Sequence, residues 1–199
     1  MEHLALQLVG GSLYLLHKVF LDLMERARNR HEVELFWFWR KIAWAVYLLG
    51  LPAVVAIFFR ERNWLFGCIE LGGSPAMLCG LLTAWRRKDP PKWLDAIALA
   101  AIPVGLAWSL YDFGGITTQS QLLEVGGSAG FLIGTYLLSL DRESGYWWFM
   151  LMNVATGLLM YHQGYLLFVP QQAISMILII DAYRIRTQEA RWRKRRCLT

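Results

Sequence analysis

Glu70, Glu124, Asn153, Gln171 and Gln172 stand inside runs of apolar residues. Such groups are expensive in hydrocarbon, so each is a candidate for function: carboxylates and amides placed there can hydrogen-bond the polar edge of a small solute. The plainer role is a hydrogen bond to a neighbouring helix that holds a bundle together. Trp44 and Tyr47, one turn apart on one helical face, add aromatic surface on which a flat ring can stack. Tyr161-His162-Gln163 reads either as a gate or as a solvated helix end. Catalytic constellations are missing: there is no GxxxxGK[ST], HExxH or GxGxxG, and His3, His17, His31 and His162 are scattered. Cys68, Cys79 and Cys197 have no CxxC or Cys/His spacing. The expectation is a protein that binds or moves a solute, with no enzyme activity, metal or cofactor.

The elements that must position these groups are long and apolar. Of 199 residues, 56% are hydrophobic and 18% charged, against roughly 45–50% and about 25% in an ordinary soluble domain. The apolar residues come in blocks of about twenty, the length of helix needed to cross ~30 Å of hydrocarbon. Seven blocks can be drawn: A about 4–24, B 37–59, C 64–84, D 93–111, E 120–140, F 146–162 and G 164–184. Little chain remains for a separate soluble domain. Block A is the least secure, because His17, Lys18 and Asp22 load its far end; an interfacial amphipathic helix is the alternative. Its start, MEHLALQLVGGSLYLL, lacks a basic n-region and reads as a retained span.

Loop charge sets the direction. Arg26, Arg28 and Arg30 follow A, with Arg40 and Lys41 just beyond; Arg86, Arg87, Lys88 and Lys92 follow C; the C-terminal tail is densely basic. The D–E and F–G loops carry no basic residue, and Arg60 and Arg62 after B are offset by Glu61. This alternation predicts an all-α, multi-pass protein of the cell (inner) membrane, with seven transmembrane helices, the N-terminus outside and the C-terminus cytoplasmic. It also accounts for the net charge of +5 without nucleic acid as a partner.

Glu70-Leu-Gly-Gly-Ser74 in C echoes Glu124-Val-Gly-Gly-Ser128 in E, and Val9-Gly-Gly-Ser12 in A repeats the core. All three lie in helices that run the same way in this topology, as in transporters built from parallel repeats. Gly126, Gly130 and Gly134, like Gly72, Ala76 and Gly80, form small-residue stripes along which another helix can approach closely. Glu70 and Glu124 lie about six residues, ~9 Å by helical rise, below the outer end of their spans. Gln171 and Gln172 lie at similar depth, and Asn153 about ~10 Å from the cytoplasmic end of F, so several helices direct polar groups toward a common layer.

In the last two spans, Tyr146-Trp147-Trp148-Phe149, Asn153, Gln163-Gly164, Gln171 and a closing Arg184 follow one another in an order that resembles the C-terminal repeat of PnuC-type vitamin transporters. Val9-Gly10 and Glu70 to Gly80 resemble the first and third helices of that family more loosely. The resemblance implies the architecture shared with SWEET transporters, two parallel three-helix repeats around a linker helix (3+1+3). Residues 1–86 would form the N-terminal bundle, 87–114 the linker, 115–186 the C-terminal bundle and 187–199 a basic cytoplasmic tail. It implies facilitated diffusion of nicotinamide riboside or a related vitamin, trapped by a cytosolic kinase. It also adds Trp148 and Phe149 to Asn153 and Gln171 as residues lining the ligand site. The expected partners are a vitamin or nucleoside-like solute and the lipid bilayer, with a homo-oligomer compatible. Glu70 and Glu124 leave proton coupling open, whereas the resemblance implies a uniporter. The competing classes are a vitamin-binding membrane subunit that needs an energising partner, and a membrane protein that transports nothing.

Overall fold

Long apolar runs satisfy every backbone group without water only as helices, and the computed structural model of the chain is all-helical. It describes residues 2–60, 64–112, 119–162 and 168–196. Its seven helices are α1 (Glu2–Asn29), α2 (Val33–Arg60), α3 (Trp64–Arg86), α4 (Lys92–Asp112), α5 (Gln119–Ser139), α6 (Gly145–His162) and α7 (Phe168–Arg196). Among the described residues, three stretches are long and apolar enough to cross a membrane: Val33–Ala56, Gly67–Arg86 and Gln121–Ser139. The chain is therefore read as a membrane protein. Blocks A to G each fall on one helix, but α1 and α7 run further than the apolar pattern. The helix of α7 continues past Arg184 into the basic tail, where Arg, Lys, Gln and Ala are good helix formers and cations suit a helix C-terminus.

Two turns share one geometry. At the end of α1 the Glu32 N–H donates to Ala27 O at 3.0 Å, the His31 N–H donates to Arg28 O at 3.0 Å, and His31 is left-handed at φ 60°. At the end of α5 the Arg142 N–H donates to Leu137 O at 2.9 Å, the Asp141 N–H donates to Leu138 O at 3.0 Å, and Asp141 has φ 61°. Both are Schellman closures, here with non-glycine residues at the left-handed position. The α1–α2 and α5–α6 hairpins are thus capped alike.

The helices pack as a ring. α1 packs on α2, α2 on α3, α3 on α5, α5 on α6, α6 on α7 and α7 on α1, while α4 lies outside against α3 and α5. Tyr136 on α5 donates to Asp95 on α4 at 3.0 Å, which helps hold α4 there. In each copy of the sequence echo the second glycine lets another helix in close: Gly11 faces Gln171, Gly73 faces Phe131 and Gly127 faces Thr156.

Polarity is inverted relative to a water-soluble bundle. Leu49, Trp85, Trp93, Val104, Tyr111 and Ile177 are each more than 60% exposed, whereas His17, Lys18, Asp22, Glu25, Arg40 and Asn153 are below 10%. Charged residues are almost never fully buried in a soluble domain unless paired. A hydrocarbon surround reverses the preference, because the bundle interior is the more polar side.

Candidate functional site

All six ring helices contribute to one cavity of about 60 Å³, whose lining includes Tyr14, Glu70, Ser128, Thr156, Gln171 and Gln172. The Tyr14 phenol donates to Glu70 Oε2 at 2.5 Å, linking α1 to α3. The Gln171 amide donates to Gly11 O at 3.3 Å, linking α7 to α1. Gln172 Oε1 is buried and accepts no hydrogen bond. The space holds a few water molecules; a drug-sized ligand needs a pocket of roughly 300 Å³ or more. A second cavity of about 230 Å³ between α1 and α7 shares Gly11, Phe168 and Gln171 with the first and is otherwise lined by Ser12 and by apolar residues such as Leu8, Leu15 and Ile174.

A closed aromatic and polar layer lies beneath the central cavity. Tyr14 and Lys18 are one turn apart on α1, and Lys18 Nζ sits 3.4 Å from the centroid of the Phe149 ring and 5.2 Å from that of Tyr47. The His17 imidazole stacks on Tyr47, with centroids 3.9 Å apart, and its Nδ1 is 2.9 Å from Ala43 O. Trp44 lies 5.6 Å from His17 and occupies the space that a side chain at Gly80 would fill. Asn153, one turn beyond Phe149 on α6, is 3% exposed, and neither its amide oxygen nor its nitrogen has a hydrogen-bond partner among the described residues.

Charged groups gather where the two capped hairpins meet α7. Arg28 donates to Asp141 Oδ2 at 2.9 Å and pairs with Glu25 at 3.1 Å. Arg40 donates to Ser139 O at 2.8 Å and lies 3.8 Å from Asp141. Arg186 donates to Asp141 O at 3.0 Å and lies 3.6 Å from Glu25. The Tyr146 phenol donates to Glu25 at 2.8 Å, and Arg26 bridges Asp22 at 2.7 Å and Asp181 at 2.5 Å. Three arginines from α1, α2 and α7 thus converge on Asp141 in the α5–α6 turn. The separate Arg87–Glu34 pair is exposed and contributes little, as surface pairs do.

The sequence-predicted residues divide between these layers. Glu70, Gln171 and Gln172 share the cavity, while Trp44, Tyr47, Phe149 and Asn153 are buried in the layer beneath it. The ring that stacks on Tyr47 is the protein's own His17, so Tyr47 offers no free face in this conformation. Trp148 is half-buried, with its carbonyl against Gly130. Glu124 is buried one turn before Ser128, whose hydroxyl donates to the Glu124 carbonyl at 2.7 Å, and does not line the cavity. Gln163 and Cys197 lie outside the described residues.

Tyr14 and Lys18 were not among the expected site residues. The signal for them is the spacing of Tyr14, Lys18, Asp22 and Glu25, which repeats by whole helical turns and puts one polar stripe on an otherwise apolar helix. No family model, curated protein or solved structure matches this chain.

Proposed function

We propose that the chain is a multi-pass membrane carrier for a small vitamin or nucleoside-like compound, with all seven helices crossing the bilayer, the N-terminus outside and the C-terminus cytoplasmic. The observation that carries this reading is the cavity on which all six ring helices converge with Glu70, Gln171 and Gln172. A bundle that only spans the bilayer has no need to concentrate such groups at a place where six helices meet. The ring divides at its α1–α7 and α3–α5 contacts into the triplets α1–α3 and α5–α7, and α4 bridges the second seam from outside. This division supports the 3+1+3 arrangement. Alternating access then consists of rocking one triplet against the other around the cavity.

The ionic cluster is the inner closure in this account. Arg28 and Arg40 belong to the first triplet, and Asp141, Ser139 and Arg186 to the second, so opening toward the cytoplasm separates these pairs. The cavity lies on the opposite side of the aromatic layer, and the α1–α7 opening leads to it. The resemblance to PnuC-type transporters supports nicotinamide riboside or a related vitamin as cargo, with trapping by a cytosolic kinase. Exposed Trp85, Trp93 and Trp108 near helix ends suit the lipid interface.

A thermal-shift panel on the purified full chain tests the reading, with nicotinamide riboside, thiamine, riboflavin and common nucleosides as probes. At least one compound is expected to raise the melting temperature. Gln171→Ala is expected to weaken that compound by about five- to tenfold, the worth of one hydrogen bond, and Asn153→Ala by a similar factor. A chain that no compound stabilises contradicts a ligand site.

A further inference from the structure

Lys18 is the buried group that the carrier reading has not used. It is 2% exposed, its amine donates no hydrogen bond among the described residues, and it sits over the faces of Phe149 and Tyr47. Its electrostatic neighbours are Glu70 and His17, and Glu70 is held by the Tyr14 phenol. An aromatic face attracts a cation but supplies no acceptor lone pair for its N–H groups. Buried polar groups without partners are rare in folded proteins, and each calls for an explanation such as an unoccupied ligand position.

Lys18 is not alone. His17 Nε2 and both polar atoms of Asn153 are also buried without a hydrogen-bond partner among the described residues, while the Tyr47 phenol and the Thr135 hydroxyl face each other with no further partner. These groups come from α1, α2, α5 and α6, one to two turns below the cavity-lining Tyr14, Val54, Phe131 and Thr156 on the same helices. Four helices therefore present polar groups, with one cation and the unpaired Asn153 amide among them, directly under the cavity floor. A ligand that descends when the triplets move apart meets this layer next.

We propose, resting on the carrier reading, that the transported compound bears a carboxylate, which Lys18 receives with the Asn153 amide and the Tyr47 or Thr135 hydroxyl. With Glu70 nearby, each added negative charge is opposed, so a monoanion is favoured over a phosphate dianion. A permanently cationic ligand such as nicotinamide riboside or thiamine would face Lys18 without gain, so within the carrier reading an acidic vitamin is favoured over those two. An incoming carboxylate offsets the cost of burying the ammonium unpaired, so binding and closure of the layer favour one another.

The test uses pairs in which a carboxylate is replaced by an amide or an alcohol, on the full chain in detergent: nicotinate and nicotinamide, nicotinic acid riboside and nicotinamide riboside, pantothenate and pantothenol. In at least one pair the acid is expected to bind about tenfold to a hundredfold more tightly, the worth of a charge-assisted hydrogen bond. Lys18→Met should erase that preference and raise the ligand-free melting temperature, because it removes an unpaired buried charge; Lys18→Arg should retain the preference. Equal or tighter binding of the partners that lack the carboxylate overturns the inference and leaves the carrier reading standing, as does binding only of thiamine or a nucleoside. A Lys18→Met chain that melts lower than wild type with its acid preference intact assigns Lys18 a purely structural role and also overturns it. If no compound in either panel binds, the carrier reading falls and takes the inference with it.

Discussion

Asp141→Ala is expected to destabilise the folded chain by up to about 3 kcal/mol from lost charge pairing alone, no more than the lower end of what removing one partner of a buried ion pair costs, because Asp141 is itself 32% exposed and partly screened by solvent. Asp141 receives Arg28, Arg40 and Arg186, whose side chains are 17%, 4% and 17% exposed. Without it, Arg28 and Arg186 share Glu25, and Arg40 keeps only the Ser139 carbonyl. The lower end of the range applies because Glu25 remains. A second contribution is conformational: Asp141 sits at φ 61°, where alanine is disfavoured by roughly 1–2 kcal/mol and asparagine much less. Asp141→Asn therefore isolates the charge, and the difference between the two variants isolates the turn. Denaturant or thermal unfolding in detergent measures both; an Asp141→Ala chain as stable as wild type would show that the arginines are satisfied by other means.

Gly130→Leu is expected to prevent assembly of the α5–α6 hairpin. A Cβ at Gly130 would lie 2.6 Å from Trp148 O and 2.7 Å from Met152 N, both backbone atoms of α6 that cannot turn aside. Even Gly130→Ala must push the two helices apart, at about 1–3 kcal/mol, and leucine adds three more heavy atoms at the same point. Gly126, one turn earlier on the same stripe, is the control: a Cβ there meets only Ala155 Cβ at 3.6 Å, an ordinary contact. Gly126→Ala should keep the wild-type melting temperature within a degree or two, while Gly130→Leu yields little monodisperse protein. Comparable behaviour of the two variants would mean that α5 and α6 are not packed as described.

The contrast between Gly126 and Gly130 marks what a sequence can carry. Their spacing announces a helix contact, yet which glycine touches backbone and which touches a methyl depends on the crossing point of α5 and α6. Helix positions were legible, because blocks of about twenty apolar residues have no other way to satisfy their backbones. Glu70, Gln171 and Gln172 were legible as candidates for the same reason: a polar group in an apolar run stands out. Lys18 was not, although it is as buried as any of them. Lying close to His17 and Asp22 near the end of block A, it reads as part of a span's charged margin. The polar stripe of α1 in fact faces the interior. Arg28 and Arg40 carry a related lesson. Counting basic residues by loop treats them as solvent-facing, whereas both bind Asp141 or its neighbour Ser139 within the fold. A charge count holds no information on which partner arrives from the other end of the chain.

Counterflow in sealed vesicles reads transport itself. Vesicles reconstituted with the full chain, and preloaded with whichever compound raises the melting temperature, should take up the labelled form in a saturable manner without added ATP or an ion gradient. Gln171→Ala, which removes the amide linking α7 to Gly11 at the cavity, should slow this exchange at subsaturating concentration. Uptake by vesicles bearing folded wild-type protein that is no faster than uptake by empty vesicles would contradict the account.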